Sequence, residues 1–99
     1  MTYVLTAVYS HPRETWPQQK QFLNERVVPM TKAQPGFLVG HWSYDASESR
    51  SYGHVIFESE KDARALETFL HEEAKRPNPF GVAPVSICVS ESMAEARRA

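Results

Sequence analysis

The sequence predicts an α+β domain whose elements run β-α-β-β-α-β, with a four-stranded antiparallel sheet and both helices on one of its faces. Three observations predict it. The stretch Gln34–Glu58 reads as a hairpin, an amphipathic helical pattern flanks it on each side, and a β-rich segment stands at each end of the chain.

Thr2–Tyr9 is the first strand: Tyr3, Leu5, Ala7 and Tyr9 point one way and Val4, Thr6 and Val8 the other. Neither face is polar, as expected of a central strand. Ser10–Glu14 connects it to a first helix over Thr15 to about Ala33. Thr15 with Gln18 suits a capping box, Pro17 fits the first turn, and Trp16, Leu23, Val27 and Met30 form the apolar stripe. Pro29 inside that pattern predicts a kink or a new start near Glu25. Pro35-Gly36 then stops the helix. Phe37–Tyr44 and Ser51–Glu58 are rich in β-branched and aromatic residues, and the polar run Asp45–Arg50 between them is a turn. If the turn is symmetric, His41 faces His54, Val39 faces Ile56 and Ser43 faces Tyr52. Leu38, Gly40, Trp42, Val55 and Phe57 then share the opposite face. Ser59 with Asp62 caps a second helix, striped by Ala63, Leu66, Phe69, Leu70 and Ala74, which Pro77 ends near Arg76. A proline-rich connection bearing an exposed Phe80 leads to the last strand, Val85–Ser90. The domain is placed at 1–92 and a C-terminal tail at 93–99. This is the ferredoxin-like order, with the first and third strands in the middle.

Ninety-nine residues make one domain with one core, without need of disulfides or a structural metal. Lys and Arg total 11 against 12 Asp and Glu, so there is no basic field to draw nucleic acid or anionic lipid, and neither is expected as a partner. Cys88 is the single cysteine, which excludes an internal disulfide and a paired-cysteine metal site; its strand position predicts a buried, inert thiol. No basic leader and no apolar run of 18 residues precedes or interrupts the domain, so the expected compartment is the cytoplasm and no membrane partner is expected.

Two helices on one face leave the other face of an apolar sheet bare. Four strands expose roughly 300–400 Å² of apolar sheet, large for one uninterrupted patch on a small monomer. A homodimer packed sheet to sheet is therefore expected.

The element order, the strand-opening Pro35-Gly36-Phe37 and the Phe57-Glu58-Ser59-Glu60 passage from strand into helix resemble the dimeric α+β barrel superfamily, in particular its antibiotic-biosynthesis-monooxygenase-like group, over Tyr3 to about Glu91. That resemblance implies pairing into a dimeric barrel. Its members include cofactor-independent quinone-forming monooxygenases, heme-degrading enzymes, small isomerases or lyases, and proteins with no assigned role. The heme-degrading branch carries an Asn on the first strand and a Trp and a His on the second helix. Here the first strand has no Asn and the second helix offers His71 but no Trp, so no cofactor is expected. The cofactor-free oxygenases hold a phenolic substrate with Asn, Trp and Tyr. Trp42, Tyr44 and Tyr52 are of these types.

His41 and His54, opposite each other with β-carbons about 5 Å apart, could share a proton near neutral pH or bind one metal with a third donor from His71, Glu73 or a second subunit; they could equally be interface histidines. No spaced ligand motif supports a metal, and none is expected. Trp42, Tyr52, Tyr44 and Tyr9 could line an aromatic pocket for a planar ligand or simply pack the core. Glu73 falls within the second helix's apolar stripe and could act as an inward base or curl out to water, and His11, beside Pro12, reads as a surface residue, the alternative being a guard at a cavity mouth. From the resemblance, the expected function is a cofactor-independent monooxygenase of a planar phenolic or quinol-type molecule, with Trp42 and Tyr52 positioning the ring, His41 and His71 contributing to binding, and His54 handling a proton. The alternative is a non-catalytic ligand-binding or interaction module of the same fold.

Overall fold

A computed structural model describes residues 1–98. The chain runs β1 (Tyr3–Ser10), a short 3₁₀ turn (Arg13–Thr15), α1 (Trp16–Phe22), a π-helical turn (Leu23–Val27), α2 (Val28–Lys32), β2 (Phe37–Asp45), β3 (Arg50–Phe57), α3 (Glu60–Glu73) and β4 (Ala83–Glu91). The strands form one sheet in the order β2-β3-β1-β4, every neighbour antiparallel, so the first and third strands are central as expected. Residues 92–98 carry no regular secondary structure, although Ser92 donates its backbone N–H to the Thr2 carbonyl at 2.9 Å.

The hairpin has the expected register, with His41 opposite His54, Val39 opposite Ile56 and Ser43 opposite Tyr52. Its turn is closed by Asp45, whose Oδ1 accepts from the Ser47 hydroxyl at 2.7 Å and the Ser47 N–H at 3.0 Å. Those bonds, the hydroxyl foremost, hold the Asp45 carboxyl below its ordinary range. One departure is Leu38. The register shifts between Phe37 and Val39, so Leu38 is the extra residue of an irregularity and does not take its place in the alternation on the Trp42 face.

The first helix contains the break its proline demands. Pro29 has no N–H to give, and its ring would press on the carbonyl of Glu25 four residues back in a regular α-helix. The chain meets that conflict with a π turn over Leu23–Val27, centred on Glu25. Thr15 departs from expectation. It makes no side-chain cap; instead its hydroxyl donates to the Phe80 carbonyl at 2.6 Å, tying the start of α1 to the proline-rich loop. Phe80 is accordingly half-buried rather than exposed, with its ring 6.1 Å from that of Phe22.

The second helix begins as the sequence predicts. Ser59 accepts from the Asp62 N–H at 3.2 Å and donates its hydroxyl to Asp62 Oδ2 at 2.8 Å. Leu66 and Ala63 bury its stripe against Leu5, Val55 and Phe57 of the sheet, while Phe69, at 43 % exposure, stays at the rim. All core side chains lie on the helix-bearing face. The other face presents Val4, Val8, Val39, Tyr52 and Ile56, and among the described residues no helix or strand lies over it. Cys88, which pairs with Thr6 on that uncovered side, is exposed rather than buried for this reason.

Gly36 joins the two halves. It turns with φ of +74°, its carbonyl accepts from the Glu58 N–H at 2.8 Å, and a β-carbon there would run into the Asp62 carboxylate that braces the α3 cap. An alanine would bear the left-handed backbone cost of about 1–2 kcal/mol in addition to displacing Asp62. Gly36→Ala should therefore lower the unfolding free energy by at least that amount, read in urea as a lower midpoint at unchanged slope, and an unaltered midpoint would contradict this account.

Candidate functional site

The helix-side face of the sheet is large at one end and small at the other. The rows Tyr3–Phe57 and Leu5–Val55 fill the space under α3, but Ala7 pairs with Gly53, and Tyr9 with Ser51. At that second end Ala7, Gly53 and Ser51 are too short to fill the space below the first helical segment. A cavity of about 580 Å³ results, walled by the sheet, by the stripe of α1, the π turn and α2, by α3 and by the loop around Asn78. The volume falls in the range of small-molecule sites.

Trp42 forms its floor. Opposite Gly53, its indole lies across the sheet. A β-carbon at Gly40 would stand 2.8 Å from Cη2 of the ring, and one at Gly53 3.1 Å from Cδ1 and Nε1. Two neighbouring strands thus offer bare backbone where the two ends of the indole rest. Tyr9 and Ser51, one row along, supply hydroxyls to the same cavity, and Glu73 and Arg26 supply charge. Burial pushes the Tyr9 phenol above its ordinary range, so it is a neutral donor at pH 7.

A smaller hollow of about 430 Å³ adjoins the cavity at the β2 edge and shares Trp42, Gln19, Leu23 and Ser51 with it. Here Tyr44 packs edge-on against His11 with ring centroids 5.1 Å apart and lies 5.8 Å from Trp16, over which Lys20 Nζ sits at 5.2 Å. His11 is 2 % exposed, contrary to the surface position expected for it, because the Tyr44 hydroxyl donates to its carbonyl and its N–H donates to Ser49, drawing it under the hairpin. Neither of its ring nitrogens has a hydrogen-bond partner, and Gln19 Oε1 is likewise buried and unpaired. Burial pushes the His11 imidazole below its ordinary range.

The structure separates the residues singled out in the sequence. His41 and His54 are direct partners across β2 and β3, but strand alternation sends them to the uncovered face and Trp42 to the helix-bearing one. His54 therefore does not share the cavity with the Trp42 indole; its side-chain contact is Thr6 Oγ1, 3.5 Å from Nδ1. Tyr52 pairs with Ser43 on the same outer side and borders the cavity only beside Ser51 and Gly53. His71 is exposed on α3 and borders neither hollow. Glu73, the inward-stripe carboxylate, does line the cavity, with Arg76 Nη1 at 3.8 Å. Among the described residues no three His, Cys, Asp or Glu side chains come together in a way that could hold a metal, so the histidine pair gains no third donor within the chain. Sequence reasoning missed Gln19, Arg26 and Ser51. For Ser51 the signal was its own smallness, repeated at Gly53 and Ala7.

The same architecture occurs in solved structures. A monooxygenase from the gene ActVA-Orf6 of Streptomyces coelicolor, in complex with nanaomycin D, aligns with a TM-score of 0.70 at 13 % identity over 98 % of this chain and 92 % of that one. The heme-degrader MhuD of Mycobacterium tuberculosis, with two hemes bound in its active site, gives 0.68 at 18 % over 98 % and 100 %. MupZ of Pseudomonas fluorescens gives 0.66 at 14 % over 89 % and 69 %. The chain has an antibiotic-biosynthesis-monooxygenase-like fold. No family model and no curated protein matches the sequence, so at these identities the likeness concerns the fold. Among the described residues no helix is long and apolar enough to cross a membrane.

The buried His11 has a consequence for pH. Its folded-state pKa lies below the unfolded value, so the unfolded chain binds the extra proton first. Stability should fall as pH drops below about 6.5 and level off once the folded imidazole also protonates. Urea unfolding between pH 7.5 and 5 should show this slope, and His11→Phe should flatten it. An equal slope in both proteins would assign it elsewhere.

Proposed function

We propose that this chain is a homodimeric, cofactor-independent monooxygenase that oxidises a planar phenolic molecule to a quinone inside the helix-side cavity. The observation that carries the proposal is the indole of Trp42 bordering a cavity of about 580 Å³ that Tyr9, its phenol neutral at pH 7, also lines. The solved relative bound to nanaomycin D, a monooxygenase of the same fold, supports the ligand class.

In this scheme the phenol stacks on Trp42. Glu73, lining the cavity, takes the phenolic proton, and Tyr9 and Ser51 donate hydrogen bonds to the phenolate oxygen. The electron-rich ring carbon para to that oxygen reduces O₂ and forms a C–O bond, giving a hydroperoxide. Its O–O bond then breaks, the distal oxygen leaves as water with the hydrogen of that carbon, and a second carbonyl remains. One phenol and one O₂ become one quinone and one water, the four electrons lost by the ring being those gained by O₂. The mostly apolar walls keep bulk water from the phenolate while the reaction proceeds.

The uncovered face packs against a second copy, sheet to sheet. His41, His54 and Tyr52 then lie in the contact, serving the assembly rather than the reaction. Sedimentation at micromolar concentration should find twice the 11.3 kDa of one chain, and a stable monomer would remove the dimer from the proposal.

Oxygen uptake with a panel of phenols and hydroquinones tests the chemistry. Glu73→Gln should reduce turnover about 10²-fold, and His54→Ala, if the dimer persists, should leave it within a few-fold. Absence of uptake across the panel, with ligands still bound, would make the chain a non-catalytic binding module of the same fold.

A further inference from the structure

We propose that His41 and His54 form a chelate for one divalent late transition-metal ion, of the nickel, copper or zinc kind, on the uncovered face of the sheet. The inference stands apart from the oxygenase reading, which uses the opposite face. The two residues are direct partners across β2 and β3, which places their β-carbons about 5 Å apart, and strand alternation turns both imidazoles the same way. Both are exposed. Two of the chain's four histidines thus meet at one register position.

Their surroundings give them no other polar task. The rows on either side are Val39 with Ile56 and Ser43 with Tyr52, and the next charged groups along the hairpin on this face, Asp45 and Arg50, face each other two rows away. No carboxylate in the adjoining rows of the hairpin pairs with either ring. Among the described residues the only contact of either ring within hydrogen-bond range is Thr6 Oγ1, 3.5 Å from Nδ1 of His54. That hydroxyl can accept the Nδ1 proton and leave Nε2 as the ligand, the orienting service that the second nitrogen of a metal-bound histidine commonly finds. Neutral imidazole suits nickel, copper and zinc, and two rings held on neighbouring strands bind as a unit, since the second donor is within reach once the first is engaged. Cys88 stands in the same row beyond Thr6, two strands from His54 and roughly 10 Å off, out of reach of an ion held by the pair. Water, or the same pair of a second copy, fills the remaining positions of the ion.

The test is calorimetric titration of the full chain with Ni²⁺ at pH 7.5, joined to urea unfolding with and without the ion. An ion bridging β2 and β3 is lost when the sheet unfolds, so it should raise the urea midpoint at unchanged slope. His41→Gln and His54→Gln should each weaken Ni²⁺ at least tenfold and abolish that rise, whereas His71→Gln and Cys88→Ser should leave the affinity within twofold. One ion per chain assigns the open positions to water, and one ion per two chains assigns them to the second copy; both support the chelate. No binding, more than one ion per chain, undiminished affinity in either pair variant, or a loss of affinity in His71→Gln or Cys88→Ser overturns it. Should a pair variant not fold, nuclear magnetic resonance of the unmodified protein with Zn²⁺ decides: joint shifts of the His41 and His54 ring nitrogens support the chelate, and a shift of one ring alone or of neither ends it.

Discussion

The helix layer does not close on one end of the sheet because three of the residues facing it there, Ala7, Ser51 and Gly53, have almost no side chain. Leu5, Val55 and Phe57 fill the space beneath α3 and anchor the fold, with Phe57 fully buried. Ala7, Ser51 and Gly53 leave the far end open beside Trp42 and Tyr9. Close packing is the rule in protein interiors, and an unfilled volume of this size loses dispersion contacts on every wall. The core at one end therefore supports a hollow at the other, and each polar group of the site hangs from an element fixed by that core.

Connections away from the core keep the hollow's walls in register. The Thr15 hydroxyl joins the start of α1 to the Phe80 carbonyl, and the Tyr44 hydroxyl joins the hairpin to His11. Both link segments distant in sequence, and both sit beside the cavity rather than beneath the core. The aromatic group of His11, Tyr44 and Trp16 does at the β2 edge what Phe57 does at the other end, packing side chains where the sheet runs out.

Local chemistry in the sequence carried most of the fold. The strand-rich segments, the Pro35-Gly36 stop, the Ser59 cap and the hairpin register all follow from neighbouring residues, and the structure has each of them. The disturbance near Glu25 followed from Pro29 alone, although its form as a π turn did not. What was hidden depends on partners remote in the chain: Thr15 exchanging a cap for Phe80, His11 drawn inward by Tyr44, and Cys88 left exposed by an uncovered face. The site was legible only in part. A period of two already parts Trp42 from His54, and expecting them to cooperate came from the resemblance rather than from the strand. Gln19 and Arg26 reach the cavity because the helix crosses over it, which no spacing along the chain announces.

The π turn leaves a mark on how this chain can change length. Such a turn is an α-helix holding one residue too many, and every residue beyond it is rotated by about 100° relative to an uninterrupted helix. Thr31, buried in α2, owes its inward position to that offset. Removing a single residue between Leu23 and Val27 would cancel that offset and keep Thr31 inward, yet it would restore the regular spacing that drives the Pro29 ring onto a carbonyl four residues back. The irregular turn is thus the one place in this helix where a shorter chain would be more orderly and worse folded.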